Sequence, residues 1–129
     1  MSTESKKFSK SWKSSGKPRK QRKFRFNAPF HIRHKFVRAM ISKELRKKHD
    51  KRNLSIRTGD KVKIMRGSFK KKEGKVERVD LKKSKIYILG VESSKKDGTK
   101  VKVGINPSNL MITEINLDDK RRQKILQRK

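Results

Sequence analysis

The sequence predicts a mainly β protein: five short strands, enough for a small barrel, between a basic N-terminal arm with short helices and a short basic C-terminal helix. Three observations carry this. Valine and isoleucine recur at every second position, Val62 and Ile64 between Lys61 and Lys63, then Val101, Val103 and Ile105 between Lys100, Lys102 and Gly104, the period of a half-buried strand. Turn signals separate the runs at Gly59-Asp60, at Gly67 and Gly74, and at Asp97-Gly98. Finally, apolar residues are 29% of the chain and charged residues 41%, so one central segment alone holds material for a core.

A length of 129 residues accommodates one domain with tails. The net charge is +29, distributed as +9 over 1–26, +7 over 27–55, +9 over 56–115 and +4 over 116–129. Charge density is therefore lowest across the strands. Such self-repulsion opposes compaction until a polyanion neutralises it, and the flanks are expected to order on a partner. Cysteine is absent, which removes disulfides and thiolate metal sites. The N-terminus lacks the apolar stretch of a signal peptide and no run approaches the length of a membrane span, so an intracellular chain is expected. Asn53-Leu54-Ser55 then matches a glycosylation sequon by accident.

Residues 1–26 read as a basic disordered arm: Gly16 and Pro18 interrupt any helical period and no apolar stripe exists. One reading is a solvated tail or nuclear-import signal. The other is an arm laid in RNA, with Lys17, Arg19, Lys20, Arg22, Lys23 and Arg25 on phosphates and Phe8, Trp12, Phe24 and Phe26 stacking on unpaired bases. Residues 27–55 form a helical extension. Asn27 or Ala28 caps a helix opening at Pro29, with Phe30, Val37 and Ile41 at helical spacing. Ser42 ahead of Lys43-Glu44-Leu45 looks like a second N-cap. Two short helices follow, at about 29–39 and 42–49.

Residues 56–115 carry the strands. After Lys61–Ile64, the segment Arg66-Gly67-Ser68-Phe69-Lys70-Lys71-Lys72-Glu73-Gly74 gathers four cations and two glycines into a loop, the glycines allowing positive φ or close approach to a partner. Lys75–Leu81 resumes extended character. Val76 and Val79 are three apart, which breaks the alternation and predicts a bulge or strong coil. Lys85–Val91 is apolar on both faces, as in a central strand. Asp97-Gly98 turns a hairpin into Lys100–Ile105, and Pro107-Ser108-Asn109 leads into a closing strand through Met111-Ile112. In 116–129, acids at 118 and 119 precede cations, the polarity that suits a helix dipole.

The run Ile56–Val91 resembles the KOW motif, a turn, a strand, a basic loop ending in glycine (here Gly74) and a second, valine-bearing strand. The resemblance implies a small SH3-like five-stranded barrel near RNA, in a ribosomal protein or a transcription elongation factor. Asn27-Ala28-Pro29, His31-Ile32-Arg33, Ser42-Lys43-Glu44-Leu45-Arg46 and the Ile56-Arg57 lead-in are similar to the N-terminal extension of one large-subunit ribosomal family. It is the universal KOW family numbered twenty-four, twenty-six in the eukaryotic count, in its archaeal and eukaryotic form. Elongation factors carry no such extension. The likeness covers about residues 17–128. It departs at Asn106, where the family usually has histidine.

Membership implies a structural constituent of the large subunit that binds large-subunit rRNA near its 5′ part, acts early in assembly and lies close to the peptide tunnel exit. It implies neighbouring ribosomal proteins and factors docking at the exit as partners, residence on cytoplasmic ribosomes, and no cofactor, membrane or small-molecule substrate. Beyond the arm, the candidate RNA contacts are Arg33, His34 and Lys35; Arg66, Lys70, Lys71, Lys72 and Lys75 around the loop; Lys82 and Lys83; and Ser108 and Asn109. Gly67, Gly74 and Gly98 are the structural glycines.

Competing chemistry finds little support. Gly67 and Gly74 are seven apart and Val76 follows Lys75, whereas a nucleotide P-loop needs glycines five apart followed by Lys and Ser or Thr. His31, His34 and His49 sit among cations that repel a dication. No carboxylate pair or Ser-His-Asp set can be placed, so no enzyme is expected. A KOW adaptor in a transcription machine would need a partner domain or an apolar patch, and a DNA-compacting or membrane-active protein would prefer duplex DNA or anionic vesicles to structured RNA.

Overall fold

The computed structural model of the chain describes residues 8, 9 and 14–128. Among the described residues, four helices, α1 (Pro18–Asn27), α2 (Phe30–Phe36), α3 (Lys43–His49) and α4 (Lys120–Gln127), accompany seven strands. The strands are β1 (Arg38–Ile41), β2 (Asn53–Ser55), β3 (Lys61–Ile64), β4 (Glu73–Asp80), β5 (Lys85–Ser94), β6 (Lys100–Ile105) and β7 (Leu110–Glu114). A 3₁₀ turn, Pro107–Asn109, leads into β7. The strands make one open mixed sheet in the order β2-β1-β7-β3-β4-β5-β6. β1 and β7 run parallel, and the other neighbours run antiparallel.

This corrects the expectation of five strands closed into a barrel. The two additional strands come from the extension read as helical. Val37, Ala39 and Ile41 are all buried while Arg38 and Met40 are exposed, a period-two pattern that pairs β1 with β2 on one side and β7 on the other. Residues 37 and 41 also satisfy helical spacing, so over five positions the two periods coincide and tertiary pairing decides. The first helix of the extension accordingly stops at Phe36. The second forms as expected, with the Ser42 hydroxyl accepting from the Leu45 N–H at 3.4 Å and Asp50 closing the end in left-handed geometry (φ 53°).

The arm is also corrected. Pro18, read as a breaker, occupies the first turn of α1, where its missing N–H costs nothing. Phe24 gives the helix an apolar anchor, 4.9 Å from the Phe8 ring and 6.2 Å from that of Phe36. Residues 1–7 and 10–13 lie outside the described residues, and with them Trp12.

The core follows the alternation. Val62, Ile64, Leu110 and Ile112 from β3 and β7 meet Val76, Ile86 and Ile88 from β4 and β5. The bulge predicted in β4 is present: the register shifts between Val76 and Arg78 against β5. In β5, Ile86 and Ile88 point inward, but Leu89 is 64% exposed, so this strand is covered on one face only. Gly74 has no positive φ. A Cβ there would lie 2.6 Å from Ile88 Cγ2 and 2.8 Å from the Leu89 carbonyl oxygen, so glycine is needed for close approach of β4 to β5. Gly67 is the opposite case, in open space but at φ +98°.

The C-terminal helix is held by a buried ion pair that nothing local announces. Arg122 on α4 is 2% exposed and Asp60, just before β3, is 0% exposed. The guanidinium grips both carboxylate oxygens at 2.6 Å and donates to the Asn116 and Ser55 carbonyls at 3.0 and 3.1 Å. Asp60 also accepts from the Asn116 and Arg57 backbone N–H groups. Leu126, one turn further on, is buried in the core.

Candidate nucleic-acid interface

The expected RNA-contacting cations fall into two groups at opposite ends of β4. At its start, Arg66, Lys70, Lys71 and Lys72 occupy the β3–β4 loop and are all exposed. The loop is a tight turn: the Ile64 N–H donates to the Lys72 carbonyl and the Lys71 N–H to the Ile64 carbonyl, both at 2.9 Å. Lys71 adopts φ 72°, and Lys72 Nζ lies 5.1 Å from the Phe69 ring centre, a contact that holds an ammonium over an aromatic face. The Met65 N–H donates to the Asn109 carbonyl at 2.8 Å. That bond brings Ser108 and Asn109 beside the loop, and Lys75 follows on the exposed side of β4.

At the far end of β4, Lys82 and Lys83 are exposed in the turn to β5. Asp80 shapes this turn by accepting the Lys83 N–H at 3.0 Å, and that bond holds its carboxyl below the usual carboxylate range. Arg33 ties α2 to the same turn through the Lys82 carbonyl at 2.7 Å, the Ala28 carbonyl at 2.7 Å and the Phe26 carbonyl. His34 and Lys35 are exposed beside it, as are Lys17, Arg19, Lys20, Arg22, Lys23 and Arg25 along α1. A strand of eight residues at about 3.3 Å per residue separates the two groups by roughly 23 Å. The surface is therefore suited to two backbone segments of a folded polyanion.

Three residues singled out in the sequence have structural partners of their own here. Arg33, named as an RNA contact, donates its guanidinium to three backbone carbonyls and fastens the α1–α2 corner to the sheet. Phe24 is packed, whereas Phe26 and Phe30, at 79% and 64% exposure, are the aromatic faces this corner presents. Asn106 accepts from Lys85 Nζ at 2.8 Å. The β5–β6 hairpin adds Lys95, Lys96 and Lys100, all exposed around the Asp97-Gly98 turn. The sequence carries that signal in three lysines flanking a predicted turn, and they are not among the expected contacts.

Among the described residues no group of three or more His, Cys, Asp or Glu is placed to hold a metal, and no helix is long and apolar enough to cross a membrane. The described residues thus form an open mixed sheet with exposed cations at both ends of one strand, the surface of a strongly basic, mainly β protein. The family model for the ribosomal proteins called L26 in eukaryotes and L24 in archaea matches residues 15–129, and the chain belongs to this ribosomal protein family, whose role is structural and not enzymatic. It is 52% identical over 114 residues to the large ribosomal subunit protein uL24 of Methanothrix thermoacetophila, covering 88% of this chain and 98% of the relative. It is 47% identical over 115 residues to the protein of the same name from Methanosphaera stadtmanae, covering 89% and 98%.

Proposed function

We propose that this chain is a structural constituent of the large ribosomal subunit that binds and stabilises large-subunit rRNA, on cytoplasmic ribosomes. The observation that carries the reading is the pair of exposed cation groups at the two ends of β4, in a chain of net charge +29. Phosphates meeting those groups release condensed counterions, and for ~10 phosphates the affinity falls by about three to five decades between 50 and 200 mM salt. Recognition is of backbone shape, with the β3–β4 loop entering a crevice and α1 lying along a second RNA segment. Neighbouring ribosomal proteins complete the site. Early action in assembly, contact near the 5′ part of the rRNA, a position by the tunnel exit and docking of factors there rest on the family resemblance.

The test is sedimentation of tagged protein from lysate with a high-salt wash of the resolved peaks. Residence in the large-subunit peak through moderate salt is the expected result. Co-migration with RNA polymerase, or release into the free fraction, overturns the reading.

A further inference from the structure

A groove of about 840 Å³ opens away from the basic β3–β4 loop, at the other end of β4, and its lining is amphipathic. Leu54 from β2, Ile56, Val79 near the end of β4, Leu81 in the turn that follows it, and Ile125 from α4 supply apolar surface. Arg38, Lys51, Arg57, Arg78 and His34 also line it. The lining carboxylate, Glu77, is engaged by Lys102. Arg122 lines the groove with its charge matched by Asp60, and its Nε is the buried side-chain polar atom that has no partner among the described residues. Arg57 pairs with Asp119 and Arg78 with Asp80, which orients both guanidiniums while leaving further N–H donors on each.

We propose that this groove receives one unpaired nucleotide extruded from structured RNA, the base against Leu54, Val79 and Ile125 and the flanking phosphates on Arg38, Lys51 and Arg78. The proposal rests on the RNA-binding reading above and deepens it. The volume lies within the several-hundred-Å³ range of small-ligand sites, and unpaired bases in loops and bulges are the parts of RNA that proteins splay out and hold individually. The charge balance selects an anion. An extended peptide could add to the sheet at β2, but that edge strand is three residues long, too short to offer the main-chain ladder such docking uses.

The experiment uses the full chain and two RNA hairpins, identical except that one carries a single bulged 2-aminopurine, whose fluorescence rises on unstacking. The expected result is a fluorescence increase on binding and an affinity for the bulged hairpin about fivefold or more above the other, the scale of burying part of one base on aliphatic surface. Both Ile125→Glu and Arg38→Gln, each at a solvent-facing position and checked by melting, should bring that ratio towards one. Equal affinities for wild-type protein, or a ratio that survives both substitutions, overturn the groove proposal while RNA binding stands. Failure of the wild-type chain to bind either hairpin overturns the RNA reading itself. Variants that bind both hairpins as wild type does but leave the large-subunit peak assign the groove to a protein segment, and the proposal falls.

Discussion

Arg122 and Asp60, 62 positions apart in sequence, meet in a bidentate pair with both N···O distances 2.6 Å and neither side chain open to solvent. The pair joins the C-terminal helix to the entry of β3, and through Asn116 and Ser55 it also fixes the approach to α4 and the end of β2. Removing one partner leaves an uncompensated charge in the interior. Arg122→Met is expected to cost about 3–5 kcal/mol, measured by urea unfolding. Asp60→Asn with Arg122→Met should cost less than the sum of the two single substitutions, with a coupling of at least about 1 kcal/mol. Additive costs would show that the two side chains act independently.

The β3–β4 loop is expected to enter the RNA interface through its lysines. Replacing Lys70, Lys71 and Lys72 with glutamine together should weaken rRNA binding and reduce the slope of log affinity against log salt by about two to three units. Filter binding at several salt concentrations reads this directly. A slope equal to that of the wild type removes the loop from the interface.

Arg33 behaves differently because its donors already face the Ala28, Phe26 and Lys82 carbonyls. Arg33→Ala should lower stability by about 1–3 kcal/mol, the cost of leaving such acceptors unmatched, yet leave the salt slope within about half a unit of wild type. Lost slope with unchanged melting would show that Arg33 contacts RNA directly.

Gly74 and Gly67 separate two reasons for glycine. Gly74→Val drives a side chain into Ile88 and the Leu89 carbonyl and should cost about 3 kcal/mol or more, the upper range of overpacking. Gly67→Ala meets no neighbour and should cost only about 1–2 kcal/mol, the strain of a left-handed alanine. Equal losses in thermal melts would contradict this division.

Acid should destabilise the fold in a defined window. Asp80, Asp97 and Asp119 are all held below the ordinary carboxylate value, Asp80 by the Lys83 N–H, Asp97 by the Thr99 hydroxyl and Asp119 by the Arg57 guanidinium. A depressed folded value contributes stability that is present above the unfolded value and lost as pH falls through the folded one. Melting temperature should therefore drop as the pH falls from the ordinary carboxylate range through the lowered folded values, and Asp119→Asn should flatten that drop. A variant with the wild-type acid profile would exclude the Asp119 contribution.

The legibility of this molecule divides along sequence separation. The alternation of Val62 and Ile64 with lysines, the Ser42 cap, the bulge after Val76 and the exposed basic loop are written within a few neighbouring residues, so periodicity and turn chemistry reveal them. The segment pattern is also enough for the family resemblance. The strand at Val37–Ile41 is not legible, because its apolar residues satisfy two periods at once and only pairing with β2 and β7 selects one. α1 escapes a local reading because Pro18 suits a helix start as well as a break, and the Phe24 contact that favours the helix lies elsewhere in the chain.

By itself, then, the sequence determined a basic, mainly β chain with its cations in turns and flanks, since charge and local period are properties of adjacent residues. Tertiary structure decided that seven strands form an open sheet, that Arg33 fastens a corner, that Arg122 is buried where its basic neighbours are not, and that an apolar-floored cationic groove exists. Each of these depends on which distant groups meet, and a buried charge or a shared cleft is energetically defined only by that partner.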